Sequence, residues 1–231
     1  MNTGCYAAFL LLSLATGLAA QETKPAPKPK AKQPDPAFAA VTDDPKLPRV
    51  LLIGDSISIG YTTATRRLLA GKVNLHRIPE NGGPTPNGTA KLAKWLGTAK
   101  WDVIHFNWGL HDIKFMPDGK RQVSPEDYEK QLSALVKQMQ ATGAKLIWCS
   151  TTPVPEGKVS PVRQPADVLA YNAIAKKVMT ENKVAINDLH AHAQAGPLDK
   201  IQIPVNVHFT TAGSEHLARH VAASIEAALK K

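Results

Sequence analysis

The chain has 231 residues, of which 43% are hydrophobic, and it carries 28 Lys or Arg against 19 Asp or Glu. This length and apolar content suit one domain with additional segments and a sizeable core. The positive charges are spread along the chain, which argues against a nucleic-acid-binding module. The excess favours a role in solubility, with attraction to acidic glycans or surfaces as a weaker alternative.

The first 48 residues are expected to lie outside the folded domain. Residues 1–20 contain a short apolar run followed by small residues, which is typical of a secretory signal peptide. Residues 21–48 are rich in Pro, Lys and Ala and have no hydrophobic periodicity, which predicts an extended, solvated linker. We therefore expect an exported protein, periplasmic or secreted. Its mature part is not expected to insert stably in a membrane, because no other apolar stretch is long enough to span a bilayer.

Residues 49–231 alternate short apolar strands with helices. The first strand ends at Ser56, and further strands are predicted at 73–78, 102–108, 145–150 and 184–188. Helices are predicted at 57–70, 89–96, 124–142, 166–182 and 211–229, with a loop at 79–88 and mostly irregular chain at 189–204. This alternation predicts an α/β fold, a three-layer α/β/α sandwich. Its five-stranded parallel sheet is expected to be flavodoxin-like, with strand order 2-1-3-4-5.

Ser56 lies at the predicted turn between the first strand and the first helix. Ligands of open α/β sheets bind at the carboxyl ends of the strands, where helix amino termini offer free N–H groups. A serine nucleophile needs a base and oxyanion donors. Ser56 supplies the hydroxyl and one backbone N–H, Gly83 is a candidate for a second N–H, and His208 is the candidate base.

Four short blocks of sequence extend this interpretation. In chain order they are Gly54-Asp55-Ser56 with Gly60, Asn81-Gly82-Gly83-Pro84-Thr85, Gly109-Leu110-His111-Asp112, and Val207-His208-Phe209-Thr210. Together they resemble the SGNH hydrolase family, the GDSL esterases and lipases, over about residues 49–229. The resemblance implies a flavodoxin-like sandwich and ester hydrolysis through a seryl acyl-enzyme, with no metal or organic cofactor. It makes Ser56 the nucleophile, His208 the base and Gly83 an oxyanion donor.

Two positions depart from the family pattern. His111 stands where the family has an oxyanion asparagine. An imidazole N–H can donate equally well, with Asp112 as a candidate to fix its tautomer and Asn107 as the reserve donor. The alternative for His111 is a substrate-contacting or structural role. Val205 stands where the family has an aspartate three residues before the histidine. His208 must then be oriented by a backbone carbonyl, by Asn206, or by a more distant carboxylate such as that of Asp199.

The other reactive residues are weaker candidates for a functional role. The pairs His190 with His192 and His216 with His220 are not expected to hold a metal, because no Cys or acid completes a ligand set. Cys149 is expected to be a small buried hydrophobe. Lys158 and Arg163, in the loop after the fourth strand, are either solvated surface or substrate clamps.

The predicted function is that of a serine esterase acting on a small-molecule or glycan ester, with acetyl esters on carbohydrate favoured. The export signal and the lack of a long apolar lid motivate this choice. The alternatives are a lysophospholipase or thioesterase, and a carbohydrate-binding module that has lost activity. No nucleic-acid partner is expected, and the sequence leaves the oligomeric state open.

Overall fold

The computed structural model describes residues 1, 2 and 34–230. Most of the expected signal peptide and the first part of the expected linker, residues 21–33, therefore lie outside the described residues.

Residues 34–48, the last part of the expected linker, pack against the domain. Asp35 caps a short 3₁₀-helix, Pro36–Phe38, by accepting a hydrogen bond from the backbone of Ala37 at 2.9 Å. Ala37 is fully buried, and the guanidinium of Arg66 donates to the Pro36 carbonyl at 3.0 Å. This portion is thus held by the domain, in contrast to the fully solvated linker expected from its composition.

In residues 34–230, five parallel strands form one sheet in the order β2-β1-β3-β4-β5, as predicted. The strands are β1 Arg49–Ile53, β2 Asn74–Arg77, β3 Val103–Phe106, β4 Lys145–Cys149 and β5 Ala185–Asn187. In β1, Leu51 pairs with His76 of β2 and Ile104 of β3. The strand order reverses between β1 and β3, so the sheet has its topological switch point there, where ligands bind in open α/β sheets.

Within residues 34–230, seven α-helices accompany the sheet. They are α1 Ser56–Leu68, α2 Thr85–Leu96, α3 Pro125–Gln140, α4 Pro165–Glu181, α5 Leu189–Ala195, α6 Leu198–Ile201 and α7 Thr211–Lys230. Helices α1, α5 and α6 pack against α7, whereas α2, α3 and α4 pack in succession. The predicted three-layer α/β/α sandwich is therefore confirmed. Within residues 34–230, no helix is both long enough and apolar enough to cross a membrane.

Two predicted segments differ from the structure by more than two residues. Helix α2 begins at Thr85 rather than Thr89, because Pro86 lies in the first turn, where a missing backbone N–H costs nothing. The segment 189–204 was predicted as mostly irregular, which is wrong for α5 and α6. Asp188 caps α5 through the backbone N–H of Ala191. Helices this short bury too few residues to show periodicity in the sequence.

His105 in the middle of β3 is a fully buried polar side chain. Its Nε2 lies 3.0 Å from the side-chain amide of Asn187, which also donates to Ser224 of α7. Burial, followed by the charge of His220, lowers the pKa of His105 to about 3. The imidazole is therefore neutral in the folded protein throughout the range in which an unfolded histidine takes up a proton.

We expect the His105→Gln variant to lose part of the acid sensitivity of the fold. Between about pH 7 and pH 4 the unfolded histidine binds a proton that the folded one does not, so the free energy of unfolding decreases as the pH falls. Over this range the wild type should lose about 3 kcal/mol more stability than His105→Gln. Urea unfolding at both pH values measures the difference, and parallel losses in the two proteins would contradict the assignment.

Candidate active site

Ser56 is the first residue of α1, directly after the turn that ends β1. Asp55 caps the helix, since its carboxylate accepts a hydrogen bond from the Ile57 N–H at 2.9 Å. Ser56 is half-buried. Its own N–H is one of the first four of the helix, which have no acceptor within the helix. The turn thus presents a hydroxyl and an N–H donor at the carboxyl end of the sheet.

His208 faces Ser56 across the active site. The Nε2 atom of His208 lies 2.9 Å from the Oγ atom of Ser56, although the two residues are 152 positions apart in sequence. The loop that carries His208 is held at both sides, because Ile203 N–H donates to the His208 carbonyl and Gln202 pairs with Phe209. The two side chains predicted to be nucleophile and base therefore lie within hydrogen-bond distance of each other.

Asn206 fixes the orientation of the His208 ring. Its Oδ1 atom accepts a hydrogen bond from the His208 backbone N–H at 3.0 Å and lies 2.7 Å from His208 Nδ1. Because an oxygen that accepts from a backbone N–H offers only lone pairs, Nδ1 must carry the ring proton. The Nε2 atom then has a free lone pair directed at Ser56. Of the three orienting groups considered from the sequence, the structure places Asn206 at the ring.

The Val205 side chain has no group that could bond to the His208 ring, and it is directed towards another loop. Val205 has φ +52°, a left-handed conformation that β-branched residues rarely adopt. Its Cγ1 lies 3.7 Å from where a Cβ on Gly157 would be. Asp199 is exposed on α6. The side chain at position 205 therefore packs towards the loop that contains Gly157.

The second block lies beside the end of β1. The Gly82 N–H donates to the Gly54 carbonyl at 3.0 Å, and Gly83 has φ +59°, which favours glycine. The Gly83 N–H, predicted as an oxyanion donor, already donates to Asn81 Oδ1 at 2.9 Å. Asn81 was not among the predicted site residues. The signal for it is an Asn two positions before a turn glycine, which is typical of an Asx turn.

His111 is half-buried on the turn after β3. Its pKa is lowered, first by burial and then by the charges of Arg163, Lys114 and His208, while Asp55 acts in the opposite direction. The ring is therefore neutral at neutral pH and presents one N–H. This is the state that an oxyanion donor requires.

Asp112 was the candidate to fix the tautomer of His111, but its carboxylate instead holds the start of α2. Its Oδ1 atom accepts from the backbone N–H and the hydroxyl of Thr85, at 2.8 and 2.6 Å. Its Oδ2 atom has no hydrogen-bond partner within residues 34–230. Burial raises the pKa of Asp112 to about 7. Asp112 thus connects the third block to the second.

Asn107, the reserve oxyanion donor, is engaged within the sheet. Its amide nitrogen donates to the Cys149 carbonyl at 2.7 Å and to the Thr151 hydroxyl at 3.2 Å. Both amide hydrogens therefore have protein acceptors. Cys149 itself is a free, buried thiol, and burial raises its pKa.

A small cavity lies at the carboxyl ends of β1, β3 and β4, beside the turn that carries Ser56. Its volume of about 10 Å³ is room for one water-sized group. Neither Ser56 nor His208 lines this cavity, and the polar residues around it are Asp55, Ser58, Asn107, Ser150, Thr151 and Thr152.

Three further histidines, His192, His216 and His220, form a stack. The His192 ring of α5 lies parallel to the rings of His216 and His220 of α7, with 4.2 Å between centroids in each pair. The Nε2 atoms of His192 and His216 each lie 3.2 Å from the backbone carbonyl oxygen of the other residue. In the part of the chain that the structure describes, no group of three His, Cys, Asp or Glu side chains is placed to hold a metal.

Comparison with solved structures supports the same fold. A lipase/acylhydrolase from Enterococcus faecalis matches with a TM-score of 0.69 and 20% identity, covering 78% of this chain and 96% of that chain. The acetyl xylan esterase AlAXEase matches with a TM-score of 0.66 and 17% identity, covering 77% and 99%. The acetylxylan esterase Axe2 from Geobacillus stearothermophilus matches with a TM-score of 0.61 and 19% identity, covering 77% and 94%.

Comparison at the level of sequence identifies the family. No curated protein matches the chain significantly. The model of the GDSL-like lipase/acylhydrolase family matches residues 52–216, which include the four blocks. The resemblance drawn from those blocks is confirmed, and the chain belongs to the GDSL-like lipase/acylhydrolase family of ester hydrolases.

Proposed function

We propose that the protein hydrolyses carboxylic esters through an acyl-enzyme formed on Ser56. The observation that carries this proposal is the hydrogen-bonded series Ser56 Oγ, His208 and Asn206, with contacts of 2.9 and 2.7 Å at the two ring nitrogens. A hydroxyl held against an imidazole with a free lone pair is an activated nucleophile.

In the first half of the reaction, His208 Nε2 takes the proton of the Ser56 hydroxyl as Oγ attacks the ester carbonyl. The protonated ring then gives this proton to the departing alcohol, and the acyl group stays on Ser56. In the second half, His208 takes a proton from water, the hydroxide formed attacks the acyl carbonyl, and the carboxylic acid leaves as Ser56 regains its proton. Asn206 keeps the ring in place through both halves.

The oxyanion formed in each half needs donors already in position. The Ser56 N–H at the start of α1 and the neutral ring of His111 are two such donors. The Gly83 N–H is the third. In the free protein it is bound by Asn81 at 2.9 Å, so a bound carbonyl must displace that side chain. Exchange of one acceptor for another keeps the N–H satisfied at each stage.

For the substrate, we propose an acetyl ester on carbohydrate. The sequence contains no long apolar lid segment of the kind that would cover a fatty chain, which favours a short acyl group. Two proteins of the same fold are described as acetylxylan esterases. The apolar pattern of residues 1–20 supports export, and an exported enzyme would reach extracellular glycans.

The test compares p-nitrophenyl acetate with p-nitrophenyl octanoate. We expect kcat/KM to be at least about 10-fold higher for the acetyl ester, since the sequence has no long apolar lid segment to cover the added methylenes of the octanoyl chain. A preference for octanoate would instead favour the lysophospholipase or thioesterase. Binding of acetylated xylan without turnover of any ester would favour the binding module.

A further inference from the structure

Arg163 is a buried cation beside the turn that carries His111. Its side chain lies in the loop after β4 and is 7% exposed. The Nε atom donates to the carbonyl of Leu110 at 2.6 Å, and Nη1 donates to the carbonyl of Pro161 at 3.1 Å. Leu110 directly precedes His111, so the guanidinium is fixed next to the proposed oxyanion donor. Of the two cations considered in this loop, Lys158 is exposed and Arg163 is built into the site.

No carboxylate in residues 34–230 pairs with Arg163. The two carbonyls accept two of its five N–H hydrogens. The Nη2 atom makes no hydrogen bond within residues 34–230, and it is not fully buried. Nη2 therefore reaches solvent on an otherwise buried side chain. A buried guanidinium without a counter-ion is costly, because burial opposes the charge. Burial accordingly lowers the pKa of Arg163, and Asp55 is the group that partly offsets this effect.

Neighbouring charged groups contribute to the positive electrostatic potential around Arg163. Lys114 is half-buried on the same turn, and its charge, with that of Arg163, acts on His111. Asp112, the acid of this turn, is buried and directed at Thr85. By contrast, Arg121 of the neighbouring segment is paired with Asp167. Within residues 34–230, Arg163 has no paired carboxylate, so its charge is available to a ligand.

We propose that Arg163, assisted by Lys114, binds a carboxylate on the alcohol part of the substrate. The substrate class would then be acetyl esters of acidic sugars or acidic glycans. A guanidinium presents a planar fork that matches a carboxylate. The carboxylate must belong to the alcohol part, because the acyl part of the proposed substrate is an acetyl group and carries no charge. This inference rests on the proposed esterase function and specifies its substrate.

The test uses two esters of equal shape, p-acetoxybenzoate and its neutral analogue p-acetoxybenzamide. We expect the wild type to prefer the anionic ester by about 10-fold or more in kcat/KM, since hydrogen bonds to charged groups discriminate by this amount. Arg163→Met should bring the ratio close to one, and Arg163→Lys should keep part of the preference. Lys137→Met on α3 removes an exposed charge far from the site, so it should leave the ratio unchanged.

A second variant guards against local misfolding, because Arg163 also holds the Leu110 carbonyl. Lys114→Met removes a charge whose side chain makes no hydrogen bond within residues 34–230, and it should lower the ratio by about 2- to 5-fold. A wild-type ratio at or below one, with both esters hydrolysed, would overturn this inference alone. So would a ratio unchanged in Arg163→Met and Lys114→Met, or a preference for p-nitrophenyl hydrogen succinate over p-nitrophenyl succinamate. No hydrolysis of any ester would end both this inference and the proposed function.

Discussion

The Ser56→Ala variant is expected to lose activity on p-nitrophenyl acetate by about 10⁴- to 10⁶-fold in kcat, with little change in KM. The acyl-enzyme cannot form without the Oγ atom, whereas the Ser56 N–H and His111 remain to bind the carbonyl. Ser56 Oγ is half-buried and hydrogen bonds to His208, so its loss should change the free energy of unfolding by less than about 1 kcal/mol. Steady-state kinetics and thermal unfolding measure the two effects separately.

Ser133→Ala on α3 is the matched control, since the Ser133 hydroxyl donates only to the Glu129 carbonyl one turn earlier. It should retain wild-type kinetics. An organophosphonate should add covalently to the peptide that contains Ser56 in the wild type and in Ser133→Ala, but not in Ser56→Ala, as read by mass spectrometry. Full activity in Ser56→Ala would show that hydrolysis takes place at another group, and the proposed acyl-enzyme would be wrong.

The order of the sheet could be predicted because its signals are local. Strands buried on both faces are continuous apolar runs, and glycine or a capping residue marks where each element ends. For α3, Ser124 accepts from the Asp127 N–H at 3.1 Å, as the sequence Ser-Pro-Glu-Asp indicates. Segments that fold through tertiary contacts escaped prediction. Residues 36–38 are held by Arg66, and α2 gains its first turn through the contact between Thr85 and Asp112.

The identity of the candidate nucleophile and base could also be predicted, whereas their supporting contacts could be predicted only in part. Ser56 and His208 belong to short blocks whose residues are neighbours in sequence. The roles of Asn206 and Asn81 depend on backbone turns that bring an amide oxygen to a particular N–H. The burial of Arg163 depends on a carbonyl 53 positions away. The spacing of Asn81 and Gly83 is a local signal for an Asx turn, and Asn206 was one of three candidate groups, whereas no pattern in the sequence indicated the burial of Arg163.

Asn206→Ala is expected to lower kcat by about 10²-fold, because His208 would lose the acceptor that holds its Nδ1 proton. A ring free to change tautomer or to rotate presents its lone pair to Ser56 for only part of the time. KM should change little, since the Asn206 side chain contacts the backbone and ring of His208 and acts on the base. Measurement of kcat and KM for p-nitrophenyl acetate separates this positioning role from a role in substrate binding, which would raise KM instead.

Asn206→Asp should have the opposite effect. The carboxylate oxygen can accept both hydrogen bonds that Asn206 Oδ1 now accepts, and its charge stabilises the imidazolium formed as Ser56 attacks, so kcat/KM at alkaline pH should rise by about 3- to 10-fold. The same charge favours the protonated ring in the free enzyme, which should move the acid limb of the pH profile upward by about one pH unit. Val205→Asp is the matched control, because it adds the same charge one residue earlier, on a side chain directed towards Gly157. If Val205→Asp gave the increase and Asn206→Asp did not, the base would be oriented from position 205 in solution. The contact between Asn206 and His208 would then have no part in the reaction.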